Sequence, residues 1–321
     1  MKEELLRHFL RYPTVTKEKV TSLEISLNID GLPLFKSSNN SLWPVLCGIM
    51  NLEPVTIFPV ALTYGSSKPT DFLFLQETVD DLNHLLKHGL NVDGKVIPVV
   101  LRCVVCDAPA RALIKGTKLY SGYYGCDKCA QKGEWLGRII YPETSDFQLR
   151  TDLSFRHQSN SDHHRTDSPF CQLPVDMIVQ FPVDYMHQLC LGVMRKLLLV
   201  WMKGNRDVRI SSRHVGEISE NLLNLKTVMP NNFARKPSGL NEIERWKATE
   251  FRQFLLYTGQ IALKEVIRPE LYFHFLSLSV ACRILVSPTL VKSHWQYASE
   301  LLVYFVEQGK VFYGKEFLVY N

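Results

Sequence analysis

No stretch of the sequence stays apolar for the roughly 20 residues that a membrane-spanning helix needs. The amino-terminal MKEELLRHFLRYPTV carries charges throughout, where a secretory signal has an uninterrupted apolar segment. Both absences predict a soluble, intracellular protein. No internal repeat of fixed period is present, and no low-complexity tract beyond one loop rich in histidine and serine, which argues against solenoid and array architectures. Strong charge of one sign is lacking too. A formal net charge of +5 over 321 residues admits a polyanionic partner but falls short of a dedicated nucleic-acid module. Eight cysteines without a secretory signal are expected as reduced core thiols and metal ligands, not as a disulfide framework.

What is present is enough apolar material for a substantial core, 46% of the chain, and therefore a globular fold. Residues 1–22 read as a short peripheral helix followed by a linker of threonine and lysine. From residue 23 the apolar runs have strand length and end in Asp, Gly, Asn or Pro: LEISLNID, SLWPVLCGIM and PVTIFPVALTYG, an expected antiparallel meander. DFLFLQETVDDLNHLLKHGL follows with Asp71 as N-cap, leucines at helical spacing and Gly89 as the stop. KVIPVVLRCVVCD reads as a strand buried on both faces, and APARALIKG as a short helix. Residues 23–140 thus form an α/β core with the order three strands, helix, strand, helix. Residues 141–321 open with a polar loop and continue as an all-helical body.

Two carboxylates stand at strand ends, Asp30 in NIDGLPL and Asp107 in VVCDAPA. Groups at the carboxyl ends of adjacent parallel strands share one crevice. Carboxylates brought together there repel unless a cation separates them, and a hard divalent ion such as magnesium, or manganese in its place, resolves the repulsion. The competing reading is local: DG is a common turn pair, and DAPA suits an N-cap with Pro109 in the first turn.

The cysteines raise a second question, because CVVC and CDKC stand nineteen residues apart, the spacing of a four-cysteine zinc ribbon. Side chains alternate along a strand, so Cys103 and Cys106, three apart, are expected on opposite faces as core thiols. Cys126 and Cys129 lie instead in GYYGCDKCAQKG, where glycines permit a tight turn with both sulfurs facing one zinc ion. Structural zinc takes four ligands, so histidines must complete such a site. His163, His164 and His187 are the candidates, each with a plainer reading in loop solvation, capping or packing.

Taken as an ordered set, NIDGLPLF, SLWPV, CDAPARALIKG, GYYGCDKC, FPVDYMHQLCLGVMRKLL and RWKATEFRQFLLYTG resemble cut-and-paste transposases of the CACTA-like and KDZ-like kind. A more distant similarity is to the catalytic core of the V(D)J recombinase. The resemblance spans essentially everything from residue 23 onward. It implies a ribonuclease-H-like mixed sheet with a large all-helical insertion, DNA cleavage and joining with Mg²⁺ or Mn²⁺ at Asp30 and Asp107, and a nuclear protein acting on DNA as a dimer or larger assembly. Cys126 and Cys129 match half of the family's zinc site, and Asp184 with His187 its DxxH motif. In such enzymes the remaining zinc histidines and a catalytic Glu follow the helical insertion; by that resemblance this sequence, ending at FLVYN, is expected to stop before them. The third acid is expected beyond Asn321 or at Glu250, whose plainer reading is a solvated or salt-bridged helix carboxylate. A set of basic residues, Arg195, Lys196, Lys203, Arg206, Arg209 and Arg213, is a candidate phosphate-contacting face. Without the third acid, a non-catalytic DNA- or protein-binding role or an inactive remnant becomes the alternative.

Overall fold

The computed structural model describes residues 1–34 and 40–320 and is a mixed α/β protein. Phe35, the last residue of the NIDGLPLF motif, lies outside the described residues. The chain divides into two compact units, residues 1–132 with 148–184 and residues 133–147 with 185–321.

The first unit opens with α1 (Lys2–Leu10) and α2 (Thr14–Glu18). The expected peripheral helix is part of the core: Leu5 and Phe9, one helical turn apart, are fully buried among the sheet residues. Four strands follow, β1 (Leu23–Ile29), the two-residue β2 (Leu32–Pro33), β3 (Ser41–Ile49) and β4 (Thr56–Gly65). In β1 the alternation of LEISLNI sends Leu23, Ile25, Leu27 and Ile29 into the core and leaves Glu24, Ser26 and Asn28 half-exposed. β1, β3 and β4 form the expected antiparallel meander, with β3 in the middle.

Helix α3 (Leu73–His88) buries Leu75, Val79, Leu82 and Leu85, a stripe at spacings of three and four. The Asp71 carboxylate accepts from the Leu73 N–H at 3.0 Å at its start, and Gly89 ends it at a φ of +71°. The run KVIPVVLRCVVCD is not one strand. Pro98 cannot donate to a ladder, and on either side of it lie a hairpin, β5 (Leu90–Val92) with β6 (Lys95–Ile97), and a separate strand, β7 (Val99–Val105). Nor is β7 buried on both faces, since Val100 and Arg102 are exposed.

β7 pairs with β1 in parallel, giving the order β4–β3–β1–β7 with the short β2 also on β3. The pairing contains a bulge: Ile25 faces Leu101 but Ser26 faces Cys103, so Arg102 is one residue too many. The far edge of β7 is occupied by a loop, in which the Gln180 carbonyl accepts from the Val104 N–H at 2.7 Å and the Gln180 side chain donates to the Leu101 carbonyl. Then come α4 (Ala108–Ile114), the Cys126–Cys129 knuckle and α5 (Asp152–Arg156).

The second unit contains a small ribbon, β8 (Glu134–Trp135) with β9 (Ile139–Ile140), and the expected helices. They are a π-helical segment, Met186–Met194, running into α6 (Arg195–Lys203); α7 (Ser212–Val228); α8 (Ala248–Gln253), continued by the π-helical Phe254–Thr258 into α9 (Gly259–Ala262); α10 (Pro269–Leu285); and α11 (Leu290–Tyr313). No helix among the described residues is long and apolar enough to cross a membrane.

His274 sits at the centre of this unit's aromatic core, fully buried and stacked on Phe305 at 4.3 Å between ring centroids. Its Nε2–H donates to the Phe305 carbonyl at 2.8 Å, and the Tyr313 hydroxyl, which accepts from Trp201 Nε1–H at 3.0 Å, donates to Nδ1 at 3.2 Å. Both nitrogens of the neutral ring are thereby satisfied, and burial holds its pKa down at about 4. The folded pKa lies below the unfolded value near 6.5. As pH falls through 6.5 the unfolded chain takes the proton first, so the contribution of the neutral ring is complete above that pH and is lost progressively down to about 4. At pH 5 the loss is about 2 kcal/mol. Thermal melts at pH 7.5 and pH 5.0 are expected to show a smaller acid-induced fall in Tm for His274→Gln than for the native chain, although the variant starts lower.

Candidate functional site

β1 ends at Ile29 and β7 at Val105, with Asn28 opposite Val105 as the last paired position. The Asn28 side-chain amide donates to the Val105 carbonyl at 3.2 Å and ties the two ends together. Carried on by two residues, the register sets Ile29 beside Cys106 and Asp30 beside Asp107. Ile29 and Cys106 are buried, whereas both aspartates are half-buried, as alternation requires. Electrostatics agree: burial pushes the Cys106 thiol well up, and the charges of Asp107 and Asp30 both add to that rise.

Each aspartate also performs the local task that its sequence suggested. Asp30 Oδ1 accepts from the Gly31 N–H at 2.8 Å. Gly31 is required there, since a Cβ would lie 2.7 Å from the Trp43 indole. Asp107 Oδ1 accepts from the Ala110 N–H at 2.7 Å, which makes Asp107 the N-cap of α4. For Asp107, capping and ligation are compatible, because a carboxylate that caps through one oxygen can present the second.

The two CxxC pairs behave differently. Beyond the bulge the alternation is regular, so Cys103 and Cys106 face opposite ways: Cys103 is half-buried, 3.5 Å from the Ser26 hydroxyl, and Cys106 is in the core. Cys126 and Cys129 lie together, sulfur to sulfur 3.2 Å, with the Gln131 amide donating to the Cys129 sulfur at 3.2 Å. Gly125 allows the turn, because a Cβ there would meet the Leu119 carbonyl at 2.0 Å. The hydrogen bond shared with Cys126, together with the Gln131 amide and the nearby Arg150, brings the Cys129 thiol down to about 6, while that shared bond and burial push Cys126 up. A low-pKa thiolate paired with a second thiol is a suitable donor set for zinc.

Of the candidate histidines, His163 is fully buried in the same unit as the cysteines, and its Nδ1 donates to the Tyr124 carbonyl at 2.7 Å, two residues before Cys126. That bond fixes the tautomer and leaves Nε2 as an acceptor, and Nε2 is buried with no hydrogen-bond partner. Burial and Arg150 bring its pKa to about 3. His164 is half-buried and packs edge-on against Phe155, and His187 lies in the π-helical segment of the second unit. Among the described residues no group of three or more His, Cys, Asp or Glu side chains is gathered as a metal cluster.

Sequence reasoning missed the charges under the knuckle. Asp127, between the two cysteines, is buried and pairs with fully buried Lys115, with Arg111 at 3.4 Å and with Lys128 at 3.6 Å. Burial would raise the Asp127 pKa, but Lys115, Arg111 and Lys128 outweigh it and hold the carboxyl below its ordinary value. Arg111 also donates to the carbonyls of Cys106 and Pro182 at 3.3 Å, and Lys128 donates to those of Ile178 and Phe181. Helix α4, which Asp107 caps, is thereby bound to the knuckle through one carboxylate. The signal available was the position of an acidic residue inside a CxxC.

Two further expectations change. Glu250 is buried, and its oxygens accept from the Lys247 N–H at 2.8 Å and the Ser238 hydroxyl at 3.1 Å. It is a helix-capping carboxylate of α8, not a solvated one. In the basic set, Arg195 and Lys203 share Glu244 at 2.9 and 2.8 Å, and Lys196 is turned inward to the Phe317 carbonyl, burial bringing its pKa to about 7. Arg206, Arg209 and Arg213 remain exposed.

No protein-family model and no curated protein matches this chain.

Proposed function

We propose that the chain is a transposase-derived domain of the ribonuclease-H-like class, with Asp30 and Asp107 as ligands for Mg²⁺ or Mn²⁺ in DNA strand cleavage and transfer, and Cys126 and Cys129 as zinc ligands. The observation that carries this reading is the parallel β1–β7 pair, which ends in two aspartates whose charges bear on one buried thiol. The strand order β4–β3–β1–β7, three antiparallel strands with the last parallel to the first, supports it. So does the resemblance of the ordered motifs.

A divalent ion held at the pair would activate the attacking oxygen and stabilise the leaving oxygen of a phosphodiester. The chain's own contribution is placement: the α4 cap fixes one oxygen of Asp107, the Gly31 turn fixes one oxygen of Asp30, and the Asn28 amide holds the strand ends in register. The partner is DNA, the working form a homodimer and the location nuclear. Nicking of supercoiled plasmid in Mg²⁺ or Mn²⁺, absent in EDTA and in Asp30→Asn, is the expected result; nicking that survives Asp30→Asn overturns the assignment.

Glu250 favours a second reading, because one of its oxygens caps its own helix and the other accepts from the Ser238 hydroxyl, which engages the carboxylate in structure. The chain would then be a non-catalytic DNA- or protein-binding domain. Binding of duplex DNA through Arg206, Arg209 and Arg213 is expected to weaken with salt at a slope of about −3 in log K against log[salt], from about −0.9 per phosphate contact. Fluorescence anisotropy between 50 and 200 mM salt measures that slope.

The zinc assignment makes its own prediction. Chain purified without chelator is expected to carry zinc by elemental analysis, with Cys126→Ser and Cys129→Ser depleted of it and Cys103→Ser unaffected.

A further inference from the structure

Ten histidines occur in the chain, and only His84 and His88 stand one turn apart on a single helix, in the HLLKH segment of α3. The helix turns its leucine stripe inward, so both imidazoles are exposed. Their ring centroids are 4.8 Å apart with the planes inclined at 45°. Neither ring meets a hydrogen-bond partner among the described residues. The carboxylate of Asp80, one turn before His84, accepts from the Gln76 amide at 2.9 Å and does not pair with it.

That separation suits one metal ion. With a metal–nitrogen bond of about 2.05 Å and about 1.15 Å more to the ring centre, each centroid would lie about 3.2 Å from a shared ion. Centroids 4.8 Å apart then subtend an angle at the ion of about 97°. This lies between the 90° of square or octahedral coordination and the tetrahedral angle. Two histidines at i and i+4 on one face are also the pair that helical metal sites employ.

We propose that His84 and His88 form an exchangeable surface site for a late first-row divalent ion, Cu²⁺, Ni²⁺ or Zn²⁺. The protein supplies two nitrogens and water fills the other positions. Neutral imidazole selects these ions over Mg²⁺, and Cu²⁺ binds tightest in the series. The site is independent of the carboxylate pair and of the cysteine knuckle, and does not rest on the functional reading above.

Calorimetric titration of the untagged full chain with NiCl₂ at pH 7.5 tests it. Loss of an outer partner of a ligand costs about 10–100-fold in affinity, so His84→Ala and His88→Ala, which remove a ligand, are each expected to weaken binding at least tenfold. Lys87→Ala leaves it unchanged, and excess MgCl₂ does not displace the Ni²⁺ bound at the histidine pair. All three positions are exposed on the helix, so folding is not at stake, and melting curves confirm it. Native-like Ni²⁺ affinity in either histidine variant, or no Ni²⁺ binding by the native chain, overturns the site.

Discussion

Asp107→Asn is expected to leave the chain as stable as the native form while abolishing divalent-dependent strand cleavage. The two roles of Asp107 separate because Asn caps a helix about as well as Asp, so the bond from the Ala110 N–H survives. A neutral amide cannot share a divalent ion with Asp30 as a carboxylate does, and several kcal/mol of transition-state stabilisation, roughly 10³-fold in rate, should disappear. Asp107→Ala removes the cap as well and should cost about 1 kcal/mol of stability on top of the activity. Denaturant titration beside a nicking assay reads both quantities. If Asp107→Asn cleaves like the native chain, Asp107 is a cap and nothing more.

Asp127→Ala is expected to be the most destabilising single substitution in the first unit, by about 3–5 kcal/mol, because it strands a buried ammonium. Lys115 is fully buried beside Asp127, and Arg111 and Lys128 are drawn to the same carboxylate. Without it the three cations repel across a dry interior. Lys115→Met alone leaves Asp127 two cationic neighbours and should cost less. Because Arg111 also holds the Cys106 and Pro182 carbonyls, the loss should reach the base of α4 and lower zinc retention together with the melting temperature. Melting curves and zinc content of Asp127→Ala, Asp127→Asn and Lys115→Met give the ranking; a native-like Asp127→Ala excludes the network as a structural element.

The parts of this fold that were legible are those that depend on local chemistry. Apolar runs of strand length bounded by turn residues located β1, β3 and β4, and Asp71 and Gly89 framed α3. Asp30 and Asp107 could be named from their strand-end positions, and strand alternation separated Cys103 and Cys106 from the knuckle. The β5–β6 hairpin was legible and unread: Asp93 and Gly94, both with positive φ, are the DG signal of a tight hairpin turn. What could not be read depends on tertiary contacts. Lys115 in ALIKG resembles a solvated lysine ending a helix until Asp127, twelve residues on, folds back over it. Lys196 and Glu250 are similar, being charged residues on amphipathic helices whose inward turn is set by Phe317 in one case and Ser238 in the other.

The bulge at Arg102 has a consequence for the acidic pair. Strand pairing acts as a count, and β7 counts one residue more than β1 between Ile25 and Ser26. Were Arg102 paired in turn and not bulged, Cys106 would arrive beside Asp30, and Asp107 would fall one step past the edge and on the opposite face. Whether that one residue is bulged or paired thus decides whether a carboxylate or a thiol stands across from Asp30. Deleting Arg102 removes the bulge and its residue together, so Asp107 should stay across from Asp30, whereas a ladder running regularly through Arg102 would exchange the two without altering either side chain.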